Sequence, residues 1–149
     1  MAAAFVFRLQ RLLELRERRV EECKKRLALA ILGVNRAEAE VERLKGEQVQ
    51  LNSTWKDEAR RGFASYMALC FQQYVAALVL FRELAEKAVT TAKGNESECR
   101  TALAQALTKQ KALERLRARL LARYTQETRK REQAELDDFA VIRAGQEER

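Results

Sequence analysis

Apolar residues along the first third of the chain recur at alternating steps of four and three. Leu9, Leu13, Arg16, Val20, Cys23, Leu27, Ala30, Val34, Ala37, Val41, Leu44, Gln48 and Leu51 hold that register without a slip, and eleven of the thirteen are apolar. A 4-3 ladder of this length is the seam of a coiled coil, and a seam must be covered by a second helix. The spacing predicts a first helix from about residue 5 to about residue 52, roughly 75 Å long at 1.5 Å per residue. Asn52, Ser53 and Thr54 are capping and turn formers, and Gly62 follows Arg60 and Arg61. The turn is therefore expected within about 52–65.

A second stripe follows as Met67, Cys70, Tyr74, Ala77, Phe81, Leu84 and Ala88. Its phase then shifts near Lys93, Gly94 and Asn95. It resumes as Cys99, Leu103, Ala106, Gln110, Leu113, Arg117, Leu120 and Tyr124. This predicts a second helix over about 66–143. Gly94-Asn95 either breaks it at 93–96 or sits in it as a stutter that locally unwinds the coil. Beyond Arg129 the stripe thins, and the last residues are expected to fray. With a turn near residue 60, an antiparallel hairpin pairs residues whose numbers sum to about 120 to 125. Leu44 then lies opposite the Phe81 region and Val20 opposite the Leu103 region. The expected fold is all-α, one elongated domain over 1–149 built as an antiparallel two-helix coiled-coil hairpin.

Composition strengthens the helical reading. The 149 residues include no proline, no histidine and five glycines, so the strongest helix breaker is absent. Without histidine the chain lacks the usual general base near neutral pH and the commonest transition-metal ligand. There is no glycine-rich phosphate loop, nucleophile elbow or metal-ligand spacing. The expectation is a protein that is not an enzyme and uses no cofactor or metal. Cys23, Cys70 and Cys99 fall on apolar stripes without CxxC spacing. They read as small buried hydrophobes in a reducing compartment. The N-terminal run Met1 to Phe7 is too short for a signal sequence. The stretch from Met67 to Phe81 falls short of the roughly twenty apolar residues of a spanning helix. A soluble protein without direct membrane insertion is expected.

Charge is uneven. The chain carries 29 basic and 22 acidic residues, a net charge of +7. Between Lys109 and Arg131, nine basic residues face only Glu114 and Glu127. Basic residues from Arg8 to Arg26 lie at the same end of the expected hairpin. Three readings of this end stay open: a solvated helix face with i, i+4 pairs, a plug for an acidic protein ring or socket, or a nucleic-acid surface. Against the last, no aromatics are interleaved for base stacking, apart from Tyr124. At the other end, Phe63, Tyr66, Phe71, Tyr74 and Phe81 concentrate aromatics beside the turn. Phe71, Val75 and Leu78 lie off the expected seam. They either pack against turn residues such as Trp55 or form an exposed partner surface.

The opening run Phe5-Val6-Phe7-Arg8-Leu9-Gln10-Arg11-Leu12-Leu13-Glu14-Leu15-Arg16-Glu17-Arg18-Arg19, the middle run Phe71-Gln72-Gln73-Tyr74-Val75 with Leu78, and Glu135-Leu136-Asp137-Asp138-Phe139-Ala140 near the end resemble the FliJ family in order and spacing. FliJ proteins are components of the bacterial flagellar type III export apparatus. The resemblance implies a coiled coil similar to the stalk (gamma) subunit of rotary ATP synthases. It further implies a non-enzymatic component needed for flagellum biogenesis and motility. Its terminal end would insert into the hexameric export ATPase ring and promote ring assembly and activity. Its other end would contact the cytoplasmic domain of the membrane export gate, and the protein would escort export chaperones. The implied location is cytoplasmic, peripherally associated with the inner membrane through the export apparatus.

Carried over onto this sequence, the family's gate-binding motif falls on Tyr74 and Leu78. Phe71 lies beside them, and Val41 and Leu44 at the same level of the first helix. Arg8, Arg11, Arg115, Arg119 and Arg123 are assigned to the ATPase end on charge and hairpin geometry alone. Competing readings are the equivalent stalk of a virulence type III injectisome and a self-associating structural coiled coil. A monomer is expected.

Overall fold

The computed structural model describes residues 4–149; Met1 to Ala3, part of the short N-terminal apolar run, lie outside the described residues. Two long helices packed together make up almost all of it, α1 over Gln10–Arg61 and α2 over Ser65–Glu147, with no strand among the described residues. The chain divides into two compact units. One comprises 22–104 with the turn; the other comprises the N-terminal residues through Glu21 together with 105–149.

The α1 ladder is seen in the burial pattern. Leu13, Val20, Cys23, Ala30, Val34, Val41 and Leu44 are buried, and Arg16, Leu27, Ala37, Gln48 and Leu51 are partly buried. Only Leu9, in the turn that precedes the helix, stands exposed. The same register continues past Leu51 through the partly buried Trp55 and Glu58. Helix α1 therefore does not end at Asn52-Ser53-Thr54, where the turn region was expected to begin. Residues of that type stop a helix only by capping free backbone groups at a terminus. Within a running helix Thr54 instead donates its hydroxyl to the Gln50 carbonyl one turn back, at 3.0 Å. The stop comes at Gly62, whose φ of +79° is the left-handed conformation that closes a helix C-terminus. Three residues, Gly62, Phe63 and Ala64, make the turn.

The α1 start also differs from expectation. Residues 4–7 are not helical; the Gln10 N–H donates to the Phe7 carbonyl (3.1 Å) and the Leu13 N–H to that of Leu9 (2.9 Å). The chain enters the helix only after the two phenylalanines have turned toward α2.

In unit 22–104 the core is Val41, Leu44, Leu78 and Ala85, with Leu51 and Val89 packed against it. Leu44 thus meets α2 one turn on either side of Phe81, and the antiparallel register agrees with the expected one. The seam of α2, however, differs from the stripe read from sequence. Its buried and half-buried positions are Phe71, Val75, Leu78, Arg82, Ala85, Val89, Ala92, Glu96 and Cys99. These form one unbroken 4-3 ladder that needs no stutter at Gly94, and α2 runs through Gly94-Asn95 without a break. The expected stripe is displaced by one residue, about 100° around the helix. Met67, Cys70, Tyr74, Phe81, Leu84 and Ala88 are exposed instead, and only Ala77 is partly covered.

The reason is visible in the seam itself. Long polar side chains can cross an apolar seam when their heads find partners at its edge. Arg82 reaches Gln48 Oε1 and Glu86 Oε1, each at 3.2 Å, and Glu96 accepts from Arg100 at 2.6 Å. Ala85 is buried in the core of this unit, and Ala92 is partly covered.

Candidate functional site

Two regions gather the candidate residues, one in each unit. At the turn of unit 22–104 the aromatics are built around Trp55 on the last turns of α1. Its ring stacks on Phe71 with centroids 3.9 Å apart and planes 18° from parallel, and tilts against Phe63 at 4.4 Å. This contact follows from the α1 register, because Trp55 is the first ladder position beyond Leu51. Tyr74, one turn along α2 from Phe71, donates its hydroxyl to Glu47 Oε1 at 2.7 Å. That bond to a carboxylate, with a smaller contribution from desolvation, raises the Tyr74 pKa above the ordinary phenol value. Glu47 also accepts from Arg43 (3.1 Å), and Arg43 bonds Glu40 (2.6 Å). This holds the Glu40 carboxyl below its ordinary value and the Arg43 guanidinium above its own.

The structure therefore separates the five residues assigned to the gate end. Leu78, Val41 and Leu44 are in the core. Phe71 is partly covered by Trp55, and Tyr74 is exposed beside its link to Glu47.

Around Tyr74 lies an exposed apolar surface, of which Met67, Phe81 and Leu84 belong to the stripe expected to be seam. Tyr66, Met67, Leu69, Leu80, Phe81 and Leu84 are each about half exposed or more. An 18-residue stretch of α2 is apolar enough by composition to cross a membrane, yet only 6% of it is buried. The apolar segment is thus longer than the one counted from Met67 to Phe81. Its signal in the sequence is a charge-free run of twenty residues, from Gly62 to Phe81.

Three cysteines were expected to be buried. Cys23 is, Cys99 is partly so, and Cys70 is exposed because it belongs to the outward stripe. Cys23 and Cys99 line a shallow 470 Å³ groove with Ala30, Gly33, Ala92 and Ala102, where small side chains leave the helices incompletely filled. Among the described residues, no three His, Cys, Asp or Glu are placed to hold a metal ion.

The other unit holds the basic candidates. Arg8, Arg11, Arg115, Arg119 and Arg123 are all exposed. None of the five makes an ion pair with a described residue. The non-helical entry segment folds onto α2 here. Phe5 packs on Tyr124 with centroids 5.7 Å apart, Arg117 lies over the Phe5 ring at 6.0 Å, and Phe7 is buried. Arg8 and Arg123 both line the 600 Å³ groove between this segment and α2. Nothing in the spacing of the first ladder signals this arrangement; two phenylalanines ahead of the first helical residue are its only trace. Beyond Thr128 every α2 residue is exposed, including Leu136, Phe139, Val141 and Ile142.

The family model described as the flagellar FliJ protein aligns with residues 5–149. No curated protein and no solved structure matches the chain.

Proposed function

Since this chain belongs to the flagellar FliJ family over residues 5–149 and is a component of the flagellar type III export apparatus, we propose that it acts there as a non-catalytic, stalk-like adaptor between two partners. Its terminal unit engages the export ATPase ring through Arg8, Arg11, Arg115, Arg119 and Arg123 and promotes ring assembly and activity. Its turn region engages the cytoplasmic domain of the export gate through Phe71 and Tyr74. Leu78, Val41 and Leu44 serve that contact from beneath, fixing the helix face that carries the two aromatics. Escort of export chaperones belongs to the same adaptor role.

The observation that carries the reading is the set of five exposed arginines that make no ion pair among the described residues. Exposed guanidinium groups without nearby carboxylates favour an acidic partner surface and raise association rates. The test is co-sedimentation and ATPase stimulation with the cognate export ATPase, comparing the full chain with R115E/R119E/R123E. Stimulation by the parent and its loss in the variant, with helicity unchanged, is the expected result. No binding and no rate change with the parent chain sinks the proposal.

A further inference from the structure

We propose that α2 carries two interchangeable seams. The segment between the turn and Gly94 rotates about its own axis by about 100°, the angle of one residue. It then lays Met67, Tyr74, Ala77, Phe81, Leu84 and Ala88 on α1 in place of the seam observed.

Both stripes satisfy the same partner. Helix α1 offers one unbroken 4-3 ladder, with Val41 and Leu44 buried in it. On α2 the observed seam runs Phe71, Val75, Leu78, Arg82, Ala85 and Val89, and the exposed stripe runs one residue behind it at the same spacing. That stripe carries no charge, whereas the seam carries Arg82. Hydrophobic burial alone therefore favours the stripe now exposed. What favours the observed seam is a short set of directed contacts. Phe71 stacks on Trp55 at 3.9 Å, Arg82 bonds Gln48 at 3.2 Å, and Tyr74 bonds Glu47 at 2.7 Å. Two packings of one sequence that trade burial against such contacts make a bistable element.

Glycines bound the rotating segment. Gly62 in the turn has a φ of +79°, and Gly94 has open space where a Cβ would stand. Past Gly94 the seam continues through Glu96 and Cys99, and the positions one residue behind them are the polar Asn95 and Glu98. The second seam thus ends at Gly94. Joining it to the seam beyond needs one extra residue, which a single π-type turn takes up. In a chain without proline, glycine is where helical geometry yields most cheaply. The rotation carries Tyr74 from solvent into the α1 interface and so withdraws the aromatic offered to the export gate. That consequence rests on the gate reading; the exchange of seams does not.

Cys70 reports the exchange, because it is exposed and belongs to the stripe that becomes covered. The experiment is iodoacetamide labelling of the full chain, read at Cys70 by peptide mass spectrometry, with circular dichroism and light scattering alongside. F71S/L78S spoils the observed seam only. It should keep the parent helicity, stay at 17.2 kDa and label at Cys70 at least about tenfold more slowly than the parent, since reaction then waits on local opening. F71S/L78S/F81E/L84E spoils both seams and should lose helicity and label fast. No gate partner enters the measurement, so failure of the gate reading leaves it untouched.

Three results overturn the proposal. One is that F71S/L78S loses helicity with Cys70 reactive, because no second seam rescues it. Another is that it stays helical while Cys70 labels at the parent rate, which means the helices hold without turning. The third is Cys70 protection accompanied by scattering at twice the monomer mass, which assigns the stripe to a second copy.

Discussion

The two units use the same helix pair to different ends, and charge shows it most directly. Unit 22–104 has thirteen basic and eleven acidic residues, a net +2. Its cations are drawn into local pairs: Arg26 with Glu22, Arg43 with Glu40 and Glu47, Arg82 with Glu86, Lys93 with Glu38, and Arg100 with Glu96. The terminal unit has sixteen basic and eleven acidic residues, a net +5, and its five candidate arginines make no such pair among the described residues. Apolar exposure differs as well. Unit 22–104 shows solvent a wide stripe near the turn, and the terminal unit a solitary helix end. Exposed ion pairs contribute little to stability, so the difference lies in what each unit shows to solvent: one pairs many of its charges and exposes apolar surface, the other exposes net positive charge.

The largest effect that breaks the comparison is on folding. Leu44 is 5% exposed between Val41, Leu78 and Ala85. Leu44→Ala should lower unfolding free energy by about 2–3 kcal/mol, the lower part of the range for buried leucines because a two-helix core collapses easily around a void. Leu136→Ala in the terminal unit, at 63% exposed, should stay within about 0.5 kcal/mol of the parent. Thermal denaturation followed by circular dichroism compares them. Equal losses would mean that the solitary end of α2 carries as much stability as the core.

The next effect sharpens the charge half. R115E/R119E/R123E should leave the melting curve nearly unchanged and slow association with an acidic partner by about tenfold or more at low salt. The gap should narrow as salt shortens the screening length to about 8 Å at 0.15 M. Stopped-flow association with the export ATPase at two ionic strengths measures it. A salt-independent rate would remove the electrostatic role of the terminal unit.

What the sequence could show follows from the same contrast. The α1 ladder was legible because eleven of its thirteen members are apolar, so pattern and burial coincide. The α2 seam was not. Its members include Arg82, Glu96 and two alanines, while the more apolar residues one step away face solvent. Periodicity finds the most hydrophobic stripe, and here that stripe is not the one α1 covers. The supposed phase shift at Gly94 arose from joining an exposed stripe upstream to the true seam downstream. The end of α1 was placed too early for a related reason, since Asn52, Ser53 and Thr54 have capping chemistry but no helix end to cap; the turn itself, at Gly62 to Ala64, falls inside the expected 52–65. For the candidate site, the aromatic cluster and basic end were legible as composition. That Trp55 covers Phe71, that Tyr74 faces Glu47, and that Phe5 folds onto Tyr124 depend on contacts distant in sequence.

Gly94 supplies a smaller test of that correction. It sits inside α2 with an ordinary helical backbone and open space where a Cβ would stand. Gly94→Ala should therefore stabilise the protein by about 0.5–1 kcal/mol, through helix propensity and a less flexible unfolded chain. A break or functional kink at this position would make the same substitution neutral or destabilising, and a melting temperature decides.

The smallest effect concerns the one hydrogen bond by which the turn-region tyrosine reaches α1. Tyr74 donates to Glu47, so the bond exists only while the phenol is protonated. Its pKa is raised in the folded state, and the linked stability is therefore fully present below the unfolded value near 10 and lost as pH climbs through the higher folded value. Parent and Tyr74→Phe should differ in melting temperature at pH 8, and that difference should close in strongly alkaline solution. Glu47→Gln offers a neutral acceptor in place of the carboxylate and should return the Tyr74 titration toward the ordinary phenol range. The titration is read as the ultraviolet difference between each chain and its Tyr74→Phe partner. If Tyr74 titrates identically with Glu and with Gln at position 47, the Glu47 link does not hold the ring. The exposed aromatic would then be free to reorient toward whatever surface meets it.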